Sequence, residues 1–232
     1  MIERYSLPEM KQVWSDDNKY QKWLDVELAA CEAWTELGVI PADDMVKLRS
    51  ATYNYTRMME ILDVTKHDVT AFLQSITEQI SEEGRWLHLG LTSSDMMDTA
   101  LGMQLKQAGV LLVKDMDLAI EAVSKKATEH KKTIMMGRTH GIHAEPITFG
   151  LKMALWLQEL KRQKQRLLRA IDEIAVGKIS GPVGSYATVS PELEQIVCQK
   201  LELEATEISN QIIQRDRHAN FVTTLAIIAG SL

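Results

Sequence analysis

Apolar residues recur every three or four positions along most of the chain, which is the spacing of one face of an α-helix. The first run consists of Trp23, Val26, Ala30, Ala33 and Leu37. Gly38 and Pro41 follow it and predict the end of a helix. Two longer runs extend from Leu101 to Ala127 and from Met153 to Ile174, the second interrupted by Lys164. Their roughly heptad spacing predicts long helices that pack nearly parallel in a bundle. No segment convincingly predicts a β-sheet.

Short polar or glycine-containing segments interrupt this pattern at residues 86–95, 137–146 and 177–191. Each separates two helical stretches, so we expect loops that present polar side chains. The sequence therefore predicts an all-α fold, with a small N-terminal helical domain over residues 1–95 and a central helical-bundle domain over residues 96–232. Because residues 221–232 are still largely apolar, without a basic last turn or a cap, we expect the bundle domain to be truncated at Leu232.

Composition and charge exclude several classes of protein. Of the 232 residues, 45% are hydrophobic and 25% are charged, a balance that is typical of a folded chain. The net charge of −6 argues against binding of nucleic acid.

The N-terminus lacks the pattern of a signal peptide, and no apolar run is long enough for a membrane span. Cys31 and Cys198 lack a CxxC spacing, so we expect buried free thiols and a cytoplasmic location.

The segment from Gly137 to Pro146 carries the densest group of reactive side chains, including His140 and His143. A histidine changes its charge near neutral pH, so it suits a general acid or base. A zinc site is the first alternative, but a His-x-x-His pair without a nearby third ligand is weak evidence for one. A histidine that only hydrogen-bonds a turn is the other alternative. Pro146 is expected in the first turn of the following helix.

Thr92, Ser93 and Ser94 come just before a long predicted helix, whose N-terminus could bind an anion through its free N–H groups. Ordinary helix capping by Ser94 or Asp95 explains the same residues more simply.

Residues 65–72 allow the same two interpretations. Thr65 and Asp68 fit a capping arrangement with His67 in solvent, whereas a functional interpretation places Lys66 and His67 beside a helix N-terminus. The glycine-rich residues 177–185 lack the spacing of a phosphate-binding loop. Residues 211–218 fit a charged helix face with Arg–Asp pairing.

In this order along the chain, these segments resemble the adenylosuccinate lyases of the fumarase/aspartase superfamily. The resemblance covers essentially the whole chain. The matching segments are Ile2-Glu3-Arg4-Tyr5, Lys66-His67-Asp68-Val69, His88-x-Gly90-Leu91-Thr92-Ser93-Ser94-Asp95, Gly137-Arg138-Thr139-His140-Gly141-Ile142-His143-Ala144-Glu145-Pro146, Gly177-Lys178-Ile179-Ser180-Gly181 and Gln214-Arg215-Asp216-Arg217-His218. Arg-Thr-His alone marks only the superfamily. His143 with Glu145-Pro146, together with Arg4-Tyr5, favours this family over fumarase or argininosuccinate lyase.

The resemblance implies a β-elimination that releases fumarate from adenylosuccinate, giving AMP, and from the succinylated carboxamide ribotide of purine biosynthesis. It implies that His140 is the general acid, and that His67 supports both His140 and the phosphate region. Thr92 and Ser93 would bind a substrate carboxylate. The remaining implied substrate-binding residues are Arg4, Tyr5, Lys66, Asp68, His88 and Gln211. Neither a metal nor another cofactor is implied.

The family builds each active site from three subunits of a homotetramer, so the resemblance implies the same assembly here. Its general base is a serine in a Gly-Ser-Ser-x-Met-Pro-x-Lys-x-Asn segment, which this chain does not contain. We therefore expect the chain alone to be inactive. Asn210 stands where many relatives carry threonine, and it is assigned no role. The alternatives are another lyase of the superfamily such as argininosuccinate lyase, a cycloisomerase, a non-catalytic helical scaffold, and a metal-binding module.

Overall fold

The computed structural model describes residues 2–232, without the side chain of Glu3. Its α-helices are α1 (Pro8–Val13), α2 (Asp16–Glu36), α3 (Ala42–Leu48), α4 (Tyr55–Thr65), α5 (Asp68–Thr77), α6 (Ser93–Glu129), α7 (Phe149–Ile174), α8 (Pro191–Lys200) and α9 (Asp216–Ala229). The strands are β1 (Ile134–Thr139), β2 (Ile142–Thr148), β3 (Val176–Gly177) and β4 (Glu204–Ala205), and short 3-10 helices span Glu3–Tyr5 and Glu82–Trp86. Helix predominates, which confirms the predicted all-α class.

The chain forms two compact units. The first comprises the described residues up to Gln107 together with Ala175–Gln214, and the second comprises Ala108–Ile174 with Arg215–Leu232. Helix α6 therefore contributes its N-terminal part to the first unit and its C-terminal part to the second. The domain boundary at residue 95, which was inferred from sequence, stays a prediction.

An aromatic cluster lies at the centre of the first unit. Trp23 of α2 packs edge-on against Phe72 of α5, with ring centroids 5.4 Å apart, and Tyr20 packs edge-on against Trp23 at 5.1 Å. Edge-to-face pairs of this kind add about 0.5–1.5 kcal/mol beyond the burial of their area. Trp23 is 2% exposed and Phe72 is fully buried. The helix predicted from the apolar spacing around Trp23 is confirmed as α2.

The two longer apolar runs lie in α6 and α7, as predicted, and most of their length belongs to the second unit. The two helices approach closely at Gly109, where an added Cβ would lie 2.5 Å from Cγ1 of Ile171. Lys164, which interrupts the apolar run of α7, turns its Nζ to Oδ1 of Asp117 on α6 at 2.5 Å. The interruption therefore marks an ion pair between the two helices.

Between α6 and α7 the chain forms a β-hairpin, where the polar segment at residues 137–146 predicts only a loop. Strand β1 pairs antiparallel with β2, and Thr139 lies opposite Ile142. The turn consists of His140 and Gly141, whose φ angles are 52° and 74°. Two consecutive positive φ angles are typical of a type I′ turn, whose twist matches that of the flanking strands.

The expectation that Pro146 begins the next helix is wrong. Pro146 lies within β2 opposite Met136, and α7 begins only at Phe149. A proline cannot donate a hydrogen bond, but each strand of a two-stranded ribbon keeps one edge free of pairing. The hairpin can therefore hold Pro146 without disrupting its strand pairing.

Gly38 and Gly184 have the same backbone φ angle but differ in how closely other atoms surround them. Gly184 and Gly38 both have φ 76°. An added Cβ would collide with the carbonyl oxygen of Ser209 at Gly184, but it would meet nothing within 4 Å at Gly38. We expect G38A to cost about 1–2 kcal/mol of unfolding free energy from strain alone. G184A should cost clearly more, as measured by urea denaturation. Equal losses would contradict the close contact at Gly184.

Candidate functional site

A buried ion pair joins separate segments of the first unit. Asp95 in the first turn of α6 and Lys178 just after β3 are both fully buried, with Nζ 2.5 Å from Oδ1. Asp95 also accepts hydrogen bonds from the backbone nitrogens of Thr92 at 2.9 Å, Ser180 at 3.1 Å and Gly181 at 3.2 Å. One carboxylate thus binds the start of α6 to the loop that follows β3.

Lys178 extends this connection to a third segment. Its Nζ donates to the carbonyl oxygens of Gly181 at 3.3 Å and Gln211 at 3.1 Å. Beside it, the hydroxyls of Ser180 and Ser209 are 2.8 Å apart. The backbone of Gln211 is therefore held next to the ion pair, whereas its side chain is exposed. The structure brings Thr92, Ser93 and Gln211 into one region of the first unit.

Thr92 and Ser93 are half-buried and lie where α6 begins. Asp95 reaches back to the backbone nitrogen of Thr92, which is one half of a capping box. The sequence allowed either anion binding or helix capping by Ser94 or Asp95, and capping by Asp95 is confirmed. Because the hydroxyls lie at the positive end of the helix dipole, the arrangement can also bind a carboxylate or phosphate.

His88 is held by Glu27, a residue that sequence reasoning missed. The Glu27 carboxylate is fully buried. Its Oε2 accepts a hydrogen bond from the backbone nitrogen of His88 at 2.7 Å, and its Oε1 lies 2.6 Å from ring Nδ1 of His88. His88 has φ 62°, a strained angle for a residue other than glycine. The only sequence signal for the pair is a glutamate within the apolar face of α2.

Burial of the His88 ring lowers its pKa, but the hydrogen bond and charge of Glu27, with the charge of Asp95, outweigh that effect and raise the pKa above its usual value. A folded-state pKa above the unfolded-state value of about 6.5 means that protonated His88 stabilises the fold. This contribution is fully present below about pH 6.5 and is lost as the pH rises through the folded-state pKa.

Lys66, His67 and Asp68 lie at the junction of α4 and α5. His67 is the N-cap of α5, and its ring Nδ1 accepts from the backbone nitrogen of Thr70 at 3.2 Å. The interpretation of Thr65 as the cap is therefore corrected, because the histidine ring itself occupies the capping position. Lys66 pairs with Asp63 at 2.6 Å. Lys66 and His67 are exposed and Asp68 is half-buried, so the segment presents polar groups at a helix start.

Arg4 and Tyr5 lie in the 3-10 helix near the N-terminus. The guanidinium carbon of Arg4 is 4.9 Å from the centroid of the Tyr5 ring, and Tyr5 is 74% exposed. The two side chains therefore form a cation–π pair at the surface. Among the described residues, no hydrogen bond or ion pair joins them to Thr92, His67 or His88.

His140 belongs to the second unit, at the tip of the β1–β2 hairpin. It is exposed, as are Arg138 and His143, which lie opposite each other on the two strands. The turn presents the imidazole to solvent. Sequence reasoning identified the residue but not the strand structure that presents it.

Comparisons with known proteins identify the family. A sequence model described as "Lyase" matches residues 3–232. The chain belongs to this lyase family. Adenylosuccinate lyases of Bacillus subtilis and Staphylococcus saprophyticus are 54% and 51% identical to it over 100% of this chain. The chain spans 54% of the length of each of these relatives.

A solved structure shows the same fold. The crystal structure of a fumarate lyase from Mesorhizobium sp. BNC1 superposes with a TM-score of 0.88 at 28% identity, covering 96% of this lyase chain and 54% of that chain. The high TM-score shows that this lyase chain shares its fold with that enzyme.

The two cysteines of the lyase chain are free and buried, as predicted. Burial and neighbouring carboxylates raise the pKa of both thiols, that of Cys198 to about 12. Both thiols are therefore protonated at neutral pH and are poor nucleophiles. Over residues 2–232 there is no group of three histidine, cysteine or acidic side chains that could hold a metal ion. Nor does any helix there combine the length and apolarity of a membrane span.

Proposed function

We propose that the protein containing this chain is an adenylosuccinate lyase, which releases fumarate from adenylosuccinate and from the succinylated carboxamide ribotide. The observation that carries the proposal is the 54% identity, over the whole chain, to the adenylosuccinate lyase of Bacillus subtilis. The half-buried residues Thr92 and Ser93 at the start of α6 support it, because the substrate is an anion.

In the proposed reaction a base removes a proton from the carbon next to a substrate carboxylate. The electron pair forms the carbon–carbon double bond of fumarate, and the carbon–nitrogen bond breaks. His140 donates a proton to the departing nitrogen, which requires an acid with a pKa near neutrality. Thr92 and Ser93 bind the carboxylate whose charge increases in the intermediate. The base comes from a residue outside this chain.

The remaining residues bind the nucleotide or support His140. Arg4 and Tyr5 bind the nucleotide portion, while His67 supports the phosphate region and His140. The other proposed substrate ligands are Lys66, Asp68, His88 and Gln211. We propose no metal and no cofactor, since acid–base chemistry at a carboxylate substrate is sufficient for the elimination.

We further propose a homotetramer whose active sites combine residues of several subunits. Large apolar side chains of the second unit remain exposed, which supports association with further copies; they include Val110, Leu118, Leu151, Leu155 and Val222. The free buried thiols support a reducing compartment, the cytoplasm.

Fumarate release tests the proposed function. We expect the full-length gene product to release fumarate from adenylosuccinate with a kcat/KM in the ordinary enzyme range of about 10⁴–10⁸ M⁻¹s⁻¹. Argininosuccinate should give no turnover, and residues 1–232 expressed alone should give negligible turnover because they lack the base. Turnover of argininosuccinate in preference to adenylosuccinate would overturn the substrate assignment. Full activity of residues 1–232 would overturn the proposed base.

A further inference from the structure

We propose that Glu27 is a positioning residue of this site: it orients His88 so that the ring Nε2–H is directed at an anionic group of the substrate. The inference rests on the proposed function. It adds a residue from the middle of α2, on a buried helix face, to the residues that determine substrate binding.

The geometry of the pair supports orientation of the ring. Oε2 of Glu27 accepts the backbone N–H of His88 at 2.7 Å, and Oε1 lies 2.6 Å from ring Nδ1. One carboxylate therefore holds both the backbone and the side chain of the same residue. With two points held, neither the ring nor the left-handed backbone of His88 can turn without breaking a hydrogen bond to a buried charge.

The same contacts determine which ring nitrogen remains available. Because a carboxylate only accepts hydrogen bonds, Nδ1 must carry the proton in this pair. Within the described part of the chain, Nε2 of His88 hydrogen-bonds to no protein atom. The ring is half-buried, so Nε2 is the nitrogen that a ligand can reach. A ring that donates through Nδ1 to Glu27 and is doubly protonated presents a second N–H donor at Nε2.

The charges around the ring favour that protonated form. Glu27 contacts it from α2. The charge of Asp95 on α6, which is paired with Lys178, makes a smaller contribution. The raised pKa of His88 agrees with this arrangement. A buried glutamate without such a partner would be costly, since an unpaired buried charge strongly destabilises a fold. Glu27 is fully buried, and both of its oxygens contact His88.

The variant E27Q in the full-length protein removes the charge while retaining the shape of the side chain. NMR titration of the histidine rings should show a lower pKa for His88 than in the parent. At about pH 8 the KM for adenylosuccinate should rise roughly tenfold, because a hydrogen bond from a charged donor to the substrate is weakened, with a much smaller change in kcat. The variant E27D, which keeps the charge on a shorter side chain, should recover part of the loss.

A double-mutant cycle separates positioning from stability. H88Q should raise the KM as E27Q does, and the E27Q/H88Q double variant should be no worse than either single variant, because both act through one contact. The matched control is E194Q, which neutralises another buried glutamate that bonds the backbone nitrogen of Ile179 and the hydroxyl of Tyr186. E194Q should leave the pKa of His88 unchanged.

The outcomes are distinguishable. A parent protein that does not turn over adenylosuccinate refutes the proposed function. If the parent is active but E27Q has the same KM as the parent, the positioning role of Glu27 is overturned. If E27Q does not fold, an unchanged KM in E27D overturns that role instead. An unchanged His88 pKa in E27Q overturns the pairing itself.

Discussion

Replacing His140 with asparagine is expected to lower fumarate release by the full-length protein about 10²–10⁴-fold, the usual contribution of a positioned general acid. The reason is chemical: an asparagine amide cannot give up a proton at neutral pH, so the departing nitrogen leaves without assistance. The measurement is kcat for adenylosuccinate near neutral pH, at a substrate concentration that saturates the variant.

Asparagine is the informative replacement because of the hairpin turn. His140 and Gly141 occupy the two positive-φ positions of a two-residue turn, and Asn-Gly is a strongly preferred pair there. The variant H140N should therefore match or exceed the parent in its free energy of unfolding by urea. By contrast, H140A should lose activity and also lose stability, because alanine tolerates a positive φ poorly. Loss of activity without loss of stability would assign His140 to the chemistry.

His130 provides a matched control, since it is another histidine of the second unit and packs edge-on against Phe149 at a centroid distance of 5.1 Å. We expect H130Q to alter stability slightly and to keep kcat close to that of the parent, because His130 has no proposed role in the chemistry. If H140N instead retains the activity of the parent, the alternative of a non-catalytic scaffold histidine is correct.

The long helices could be predicted because their signal is local. The 3-4 spacing around Trp23 and the runs in α6 and α7 are visible within windows of a few turns. The hairpin was missed because its strands do not alternate between apolar and polar residues: Arg138, Thr139 and His143 are all exposed, as is Ile142. A glycine after His140, between two short β-prone segments, was the available signal for its turn.

The ion pairs could not be predicted because they join residues far apart in sequence. Asp95 and Lys178 are 83 positions apart, and Glu27 and His88 are 61 positions apart. A local pattern identifies Asp95 as a cap and Glu27 as one more helical residue. A lysine within the largely apolar residues 174–181 indicates at most that some partner exists, because a charge buried there requires one. The roles of the site residues came from resemblance, since spacing alone left helix capping as the simpler explanation.

Removal of the Lys178 ammonium is expected to have the largest effect on stability. In K178M the Asp95 carboxylate stays buried without its cation, which should lower the free energy of unfolding by about 3–5 kcal/mol. The matched control is K126M, which removes one partner of the exposed Lys126–Glu129 pair on α6 and should leave the urea midpoint unchanged. A loss in K178M no larger than in K126M would contradict the role of the buried pair.

The double variant D95N/K178M separates charge from connectivity. It removes both charges, so it should recover at least half of the stability lost in K178M, because a neutral pair avoids the cost of an isolated buried ion. The asparagine oxygen cannot replace every bond that Asp95 makes to the backbone nitrogens of Thr92, Ser180 and Gly181. We therefore expect the double variant to have a higher KM for adenylosuccinate than the parent, although its stability largely recovers. Recovery of both stability and KM would mean that the ion pair stabilises the fold but does not position Thr92 and Ser93 for the substrate.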